Sequence, residues 1–301
     1  MFLQRTLRRS STVKGIGLHT GKPCQLTFRP APTDIGVHLI KNIDGVSKSV
    51  RVYASHVKAT TNATTIGNSE FSISTVEHCL STLAALRIDN AFIEIEGPEL
   101  PILDGSSLPF FQAIHEAGVI EQDQPRKYIY IKEPIKVEDG DKSAIVYPYN
   151  GLRINCTIDF QHPCIGRQSI DIDINEVSFA REIVGARTFG FLRDVEKLRS
   201  MGLALGGSFD NVVVLDNDKV LNDGGLRFPD EFVRHKVLDA LGDIVTLGAP
   251  MMGHLVLFKA GHDLLNRLVR KILQLPDSTI PFEMAEPNYM GDQDRLPWQM
   301  I

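Results

Sequence analysis

Alternating apolar and polar positions predict strands joined by turns through residues 1–60, and again at 90–96, 127–132, 135–137, 143–147, 152–159, 169–173, 186–189, 212–214 and 254–259. The glycine-rich stretch 15–21 lacks the G-x-G-x-x-G spacing of a nucleotide loop. The alternation that follows it at 24–28 makes it a hairpin turn, with His19 as a hydrogen-bonding turn residue. Helical spacing marks 74–86, 109–117, 229–248 and 264–275, and a short helix carrying Val195 and Leu198. Ser74 and Glu77 have capping-box spacing, and Ser107 is placed to cap the next helix, where His115 is expected to be exposed. The polar, proline-containing run 121–126 reads as a domain linker. The Thr-rich segment 60–65 reads as a loop, either beside a site or a plain turn. The tail 276–301 reads as irregular.

The helix 229–248 stands apart. Asp230 can cap its start, Glu231 lies just inside, and Gly248 followed by Pro250 ends it. Phe232, Val237, Leu238, Leu241, Ile244, Val245 and Leu247 surround it with apolar surface, which predicts burial. Yet His235, Asp239 and Asp243 recur every four residues and therefore share one stripe. Two readings remain open: a polar edge facing water, or buried ionisable groups that must have partners. The same division applies to Glu77, a capping residue or a functional carboxylate beside His78.

Both halves of the chain run through several strands, then a helix with a His near its start (His78, His235), then an apolar strand. This faint repeat predicts an α+β fold of two similar two-layer α/β sandwich domains, 1–123 and 127–301, with the active site at their interface. The stretch 190–225 breaks the pattern and reads as an insertion with its own apolar face.

Composition narrows the class. The chain has 301 residues, 43% hydrophobic and 23% charged, as in ordinary globular proteins. A formal net charge of −5 argues against general nucleic-acid binding. The basic N-terminus has no apolar h-region behind it, so no signal peptide is expected, and no apolar run is long enough for a membrane helix. The 4 cysteines are scattered without a C-x-x-C pair, which suits reduced thiols in a cytoplasm.

By residue type, His78, His235 and Asp239 make a plausible zinc set, with a fourth position left for water. Glu77 beside it can take a proton from that water. His262, oriented by Asp243, can act opposite as acid or charge stabiliser, and the Thr188 hydroxyl can serve an oxyanion.

Several strings then carry a resemblance: 74–78 (STVEH), 103–107 (LDGSS), 186–191 (ARTFGF), 204–208 (ALGGS), 235–239 (HKVLD) and 259–262 (KAGH), with QRTL at 4–7 and GIGLH at 15–19. Together, and in this order, they resemble the UDP-3-O-acyl-N-acetylglucosamine deacetylases of lipid A synthesis in Gram-negative bacteria. The resemblance implies one zinc per chain on His78, His235 and Asp239. It implies Glu77 as general base, His262 backed by Asp243, and Thr188 at the oxyanion. Lys236 and Phe189 would contact the sugar side of a UDP-linked acylated glucosamine. The insertion would line an acyl passage with Val195, Leu198, Val212 and Val214, and with Leu18 at its edge, although a satellite core also accounts for it. Phe160, His162, Lys142 and Lys259 would lie toward the nucleotide. The chain is expected to act as a cytoplasmic monomer. It departs from the family pattern in two places: 259–262 reads KAGH where KSGH is common, and Ala63 stands where some relatives carry a cysteine.

Overall fold

The computed structural model describes residues 2–275 and the strand Thr279–Glu283. In the first half, five strands form one mixed sheet: Ser11–Ile16, Pro23–Pro30, Ala91–Glu96, Val37–Ile43 and Val46–Arg51, in that spatial order. The central strand Ala91–Glu96 turns Ala91, Ile93 and Ile95 into the core, as its alternation requires. It runs parallel to Val37–Ile43, and the helix Glu77–Ala85 (α1) precedes it in the chain. A three-stranded sheet (Val57–Ala59, Thr65–Gly67, Ser72–Ile73) and the helix Leu108–Ala117 (α2) complete this half.

The second half repeats the scheme. Met251–Phe258 lies inside a seven-stranded sheet, parallel to Leu152–Phe160 on one side and antiparallel to Lys142–Tyr147 on the other. The short turn Glu176–Ser178 (α3), the insertion helix Leu192–Ser200 (α4), the helix Glu231–Ile244 (α5) and the helix His262–Gln274 (α6) follow in chain order. Here too the His-bearing helix, α5, precedes a strand that joins its sheet in parallel. Among the described residues no strand pairing joins the sheets built before residue 126 to those built after it. The fold is α+β with two domains, as expected.

Several local expectations are corrected. Most of the run 121–126 is regular: it continues the strand Val119–Pro125, paired antiparallel with Leu3–Leu7. Ser74 does not cap α1, which starts at Glu77 with no side-chain cap; Ser74 instead bridges to Glu99. Ser107 precedes α2 without capping it, and its hydroxyl donates to the His78 carbonyl at 2.7 Å. Asp230 likewise caps nothing and pairs with Arg234. Of 186–189 only Phe189 is in a strand, Phe189–Phe191, which lies parallel to Val213–Leu215. The last helix, expected at 264–275, begins two residues earlier, so His262 is its first residue. The tail is not wholly irregular, because Thr279–Glu283 pairs with Lys127–Ile131; the rest of 276–301 lies outside the described residues.

Helix α5 joins the halves. It ends through a short 3-10 turn at Gly248, whose φ of 80° gives the left-handed stop. Its polar stripe does not face water: His235, Asp239 and Asp243 are only 2%, 4% and 3% exposed. α5 packs directly on α1. A Cβ added at Gly242 would lie 2.1 Å from the Glu77 carbonyl oxygen, so the two backbones meet there with no room for a side chain. Gly242→Ala is expected to destabilise the protein by about 2–3 kcal/mol despite the better helix propensity of alanine. Denaturant unfolding measures this, and an unchanged midpoint would contradict the close approach.

Candidate metal centre and active site

The α1–α5 crossing sets Glu77 and His78, from the start of α1, against the stripe of α5. Nε2 of His78 is 3.7 Å and Nε2 of His235 is 3.3 Å from the same atom, Asp239 Oδ1. The two imidazole rings stand edge to face at 5.0 Å. Asp239 Oδ1 is buried and has no hydrogen-bond partner, while Oδ2 accepts from the Lys236 ammonium at 2.7 Å. Tetrahedral zinc, with bonds of about 2.0–2.1 Å, sets its ligand atoms roughly 3.4 Å apart. The three atoms therefore fit a small divalent cation in spacing and donor type, and such a cation would satisfy the orphaned oxygen. His235 is aimed by its other nitrogen, which donates to the Ala186 carbonyl at 3.0 Å, the usual way a ligating imidazole is oriented.

A second group overlaps the first. Glu77, Asp239 and His262 also bring one ligand atom each within 4.8 Å of one another. Electrostatics separates the two groups. Burial pushes His78 down to about 3, with His235 nearby adding to the effect, and burial also lowers His235. Both rings are thus neutral and keep a lone pair. For His262, burial works against protonation, but Asp243, then Glu77 and Asp239, outweigh it and hold its pKa up to about 10. His262 is therefore a cation and donates through Nδ1 to Asp243 Oδ2 at 2.7 Å. As a cation it has no lone pair free for a metal ion. Burial, reinforced by Asp239 and Asp243 and opposed by His262, raises Glu77 to about 7. Asp239 moves the other way: burial would raise it, but His235, Lys236, His262 and His78 hold it well below the usual carboxylate range.

Glu77 Oε1 lies 3.9 Å from His262 Nε2. Its Oε2 accepts the Thr64 N–H at 3.0 Å, and the Thr64 hydroxyl donates to Asp243 Oδ1 at 2.5 Å. Thr64 thus holds Glu77 and Asp243, the partner of His262, together. Sequence reasoning missed it, having left the Thr-rich segment 60–65 as either a loop beside a site or a plain turn. It also missed the buried pair of Arg187 and Glu231, at 2.8 Å, which binds the segment after Ala186 to the first turn of α5. Thr188 follows and is half-buried, with its backbone bonded to Gly105 and Val213. The ring of Phe189 stands 6.4 Å from that of His235 and 5.6 Å from that of Phe160, and the Lys236 ammonium lies 5.8 Å above it.

The other expected residues are more dispersed. Val195 and Leu198 are the half-buried positions of an otherwise exposed α4. Val212 and Val214 are half-buried while Val213 and Leu215 enter the core. A methyl placed on Gly207 would lie 3.7 Å from Leu18 Cδ1 and 3.9 Å from Val212 Cγ2, so those side chains flank that glycine. Lys259 is held by Asp141 at 2.9 Å and Asp159 at 3.4 Å, and Lys142 follows Asp141 in an exposed hairpin. Both ring nitrogens of His162 bond within the protein, to the Asp216 carbonyl and the Cys164 N–H, so it serves as a latch rather than an open ligand contact.

Residues 4–274 match the model of a family described as UDP-3-O-acyl N-acetylglycosamine deacetylase. The chain is similar to UDP-3-O-acyl-N-acetylglucosamine deacetylase of Bdellovibrio bacteriovorus, 59% identical over 278 residues, 92% of either chain. It is 47% identical to the enzyme of the same name from Myxococcus xanthus over 96% of this chain and 92% of the relative. That from Hahella chejuensis is also 47% identical, over 95% and 96%.

Asp243→Asn should lower the His262 pKa from about 10, because the carboxylate that favours the imidazolium is gone. NMR titration of the ring protons in metal-free protein reads this directly, and an unmoved titration would contradict the pairing.

Proposed function

The chain belongs to the UDP-3-O-acyl N-acetylglycosamine deacetylase family, and we propose that it is a zinc-dependent amidase. It hydrolyses the 2-acetamido group of UDP-3-O-(3-hydroxyacyl)-N-acetylglucosamine, releasing acetate, in the committed step of lipid A biosynthesis. The observation that carries this reading is the pair of overlapping groups around Asp239: neutral imidazoles on one side, and a raised carboxylate facing an imidazolium on the other.

His78, His235 and Asp239 would hold the zinc, one ion per chain. When bound, that ion supplies Lewis acidity to the scissile carbonyl and to the attacking water. Glu77 takes the proton of the water as its oxygen bonds to the carbonyl carbon, and a pKa near 7 suits a base working near neutral pH. The Thr188 hydroxyl donates to the developing oxyanion. His262, kept charged by Asp243, stabilises that charge and delivers its proton to the departing amine as the C–N bond breaks. Asp243 is the positioning residue for His262, and Thr64 for both carboxylates.

Lys236 and Phe189 form the sugar side, consistent with the ammonium standing over the ring. Leu18, Val195, Leu198, Val212 and Val214 line the acyl passage. Phe160, Lys142 and Lys259 face the nucleotide, and for Lys259 a diphosphate would have to compete with Asp141 and Asp159. The reading treats 1–123 and 127–301 as the two domains, with the site between them. A cytoplasmic monomer accords with it, and among the described residues no helix is long and apolar enough to cross a membrane.

Glu77→Gln should keep zinc at one ion per chain and lose about 10²–10⁴-fold in turnover, the usual share of a general base. Metal analysis and deacetylation assay on one sample decide it; full activity would remove Glu77 from the role. In the wild type, kcat/KM should rise with pH as Glu77 ionises, at or below about 7 because a bound cation favours the carboxylate, and fall as His262 deprotonates, at or below about 10 because the same cation disfavours the imidazolium.

A further inference from the structure

Glu99 is a fully buried carboxylate that the chemistry above does not use. It receives hydrogen bonds from two separate parts of the chain. From the segment before α1, the Thr75 hydroxyl donates to Oε1 at 2.7 Å. From the turn after the strand Ser11–Ile16, the N–H of His19 donates to Oε1 at 3.0 Å, and the N–H and hydroxyl of Thr20 donate to Oε2 at 2.9 and 3.0 Å. Both oxygens are thus saturated by fixed donors, the condition under which a buried carboxylate is tolerated. The fit is close: a Cβ at Gly17 would fall 2.2 Å from Glu99 Oε2.

The two ends of this junction differ in what they carry. Thr75 has a φ of 57°, a left-handed conformation that a β-branched residue avoids and that persists only where its surroundings over-determine it. Two and three residues later come Glu77 and His78. The turn on the other side presents Leu18 and grips the insertion, because the Leu18 and His19 carbonyls accept the N–H groups of Gly206 and Leu205, each at 3.0 Å. One carboxylate therefore joins the backbone that sets the general base and a zinc ligand to the backbone that frames the acyl passage.

We propose that Glu99 is a positioning residue that couples the two ends of the site, so that an acyl chain seated against Leu18 and the insertion steadies Glu77 and His78 for the reaction. This rests on the deacetylase reading and goes beyond it: the long acyl chain contributes to turnover, not only to binding, and Glu99 transmits that contribution. Remote binding energy used in this way appears in kcat rather than in KM alone.

The test compares zinc-loaded wild type with Thr75→Val, Thr20→Val and the double variant, each of which removes a hydroxyl donor to Glu99 from one side or from both. Each protein is assayed on the substrate with its long 3-hydroxyacyl chain and on the analogue bearing a 3-O-acetyl group. Zinc content and thermal unfolding are read alongside. Each single variant should lower the long-to-short ratio of kcat/KM about tenfold, the scale of one lost hydrogen bond to a buried charge, mainly through kcat on the long substrate. The double should lose less than the product of the two single losses, because both hydroxyls act through the one carboxylate. Thr75→Ser should restore the ratio. Equal loss on both substrates, or losses that multiply in the double, would overturn the coupling and leave Glu99 a fold-stabilising group. Should Thr75→Val not fold, the ratio in Thr20→Val decides by itself. Wild type that deacetylates neither substrate would sink the deacetylase reading and this inference with it. Wild-type turnover with an unmoved ratio in the variants sinks the coupling alone.

Discussion

The contact of α5 with α1 at Gly242 is the constraint on which the site depends. A side chain there would strike the Glu77 carbonyl, and only glycine lets the two helix backbones touch. Because they touch, residues one turn back along α5 reach the start of α1: Asp239 comes within 3.7 Å of His78, and the one residue beyond Gly242, Asp243, faces the loop of Thr64. Helix α6 then brings His262 onto Asp243. The site is assembled at a place where two halves with separate sheets come together, and each half contributes groups the other lacks.

Such a cluster is costly to bury, and the structure shows how the cost is offset. Lys236 neutralises one oxygen of Asp239, Asp243 and His262 pair with each other, and Thr64 donates to both Glu77 and Asp243. Two buried atoms of the cluster are left without a partner, His78 Nδ1 and Asp239 Oδ1, and the second is the atom two neutral imidazole nitrogens face. The same burial thus yields opposite protonation states in histidines a few ångströms apart. His78 and His235 lack a close hydrogen-bonded carboxylate and stay neutral, whereas His262 has Asp243 and stays charged. That division of protonation states suits the acid and the two metal ligands proposed for this pocket.

The stripe of α5 was legible in the sequence because helical period is local: residues four apart must align wherever the helix lies. The two-domain α+β fold was legible from strands and helices recurring in the same order. What could not be read were the partners. Thr64 and Asp243 are 179 residues apart, and no local pattern announces their hydrogen bond. The Ala186 carbonyl that aims His235 is a backbone atom with no sequence signature at all. Capping-box spacing at Ser74 and Glu77 misled because Thr75 turns left-handed between them and sends Ser74 to Glu99 instead. The strand Val119–Pro125 was not legible within the run 121–126 because it lies in a two-stranded sheet, half-exposed and without a buried apolar face to betray it.

The central claim is that the two imidazoles and Asp239 hold the ion that deacetylation needs. It is tested most directly by following activity and metal content together on one sample through chelation and stepwise return of zinc. The account predicts that deacetylation falls with the metal, returns in proportion to zinc added, and reaches its maximum at one ion per chain. Full deacetylation by protein shown to be free of metal would contradict it.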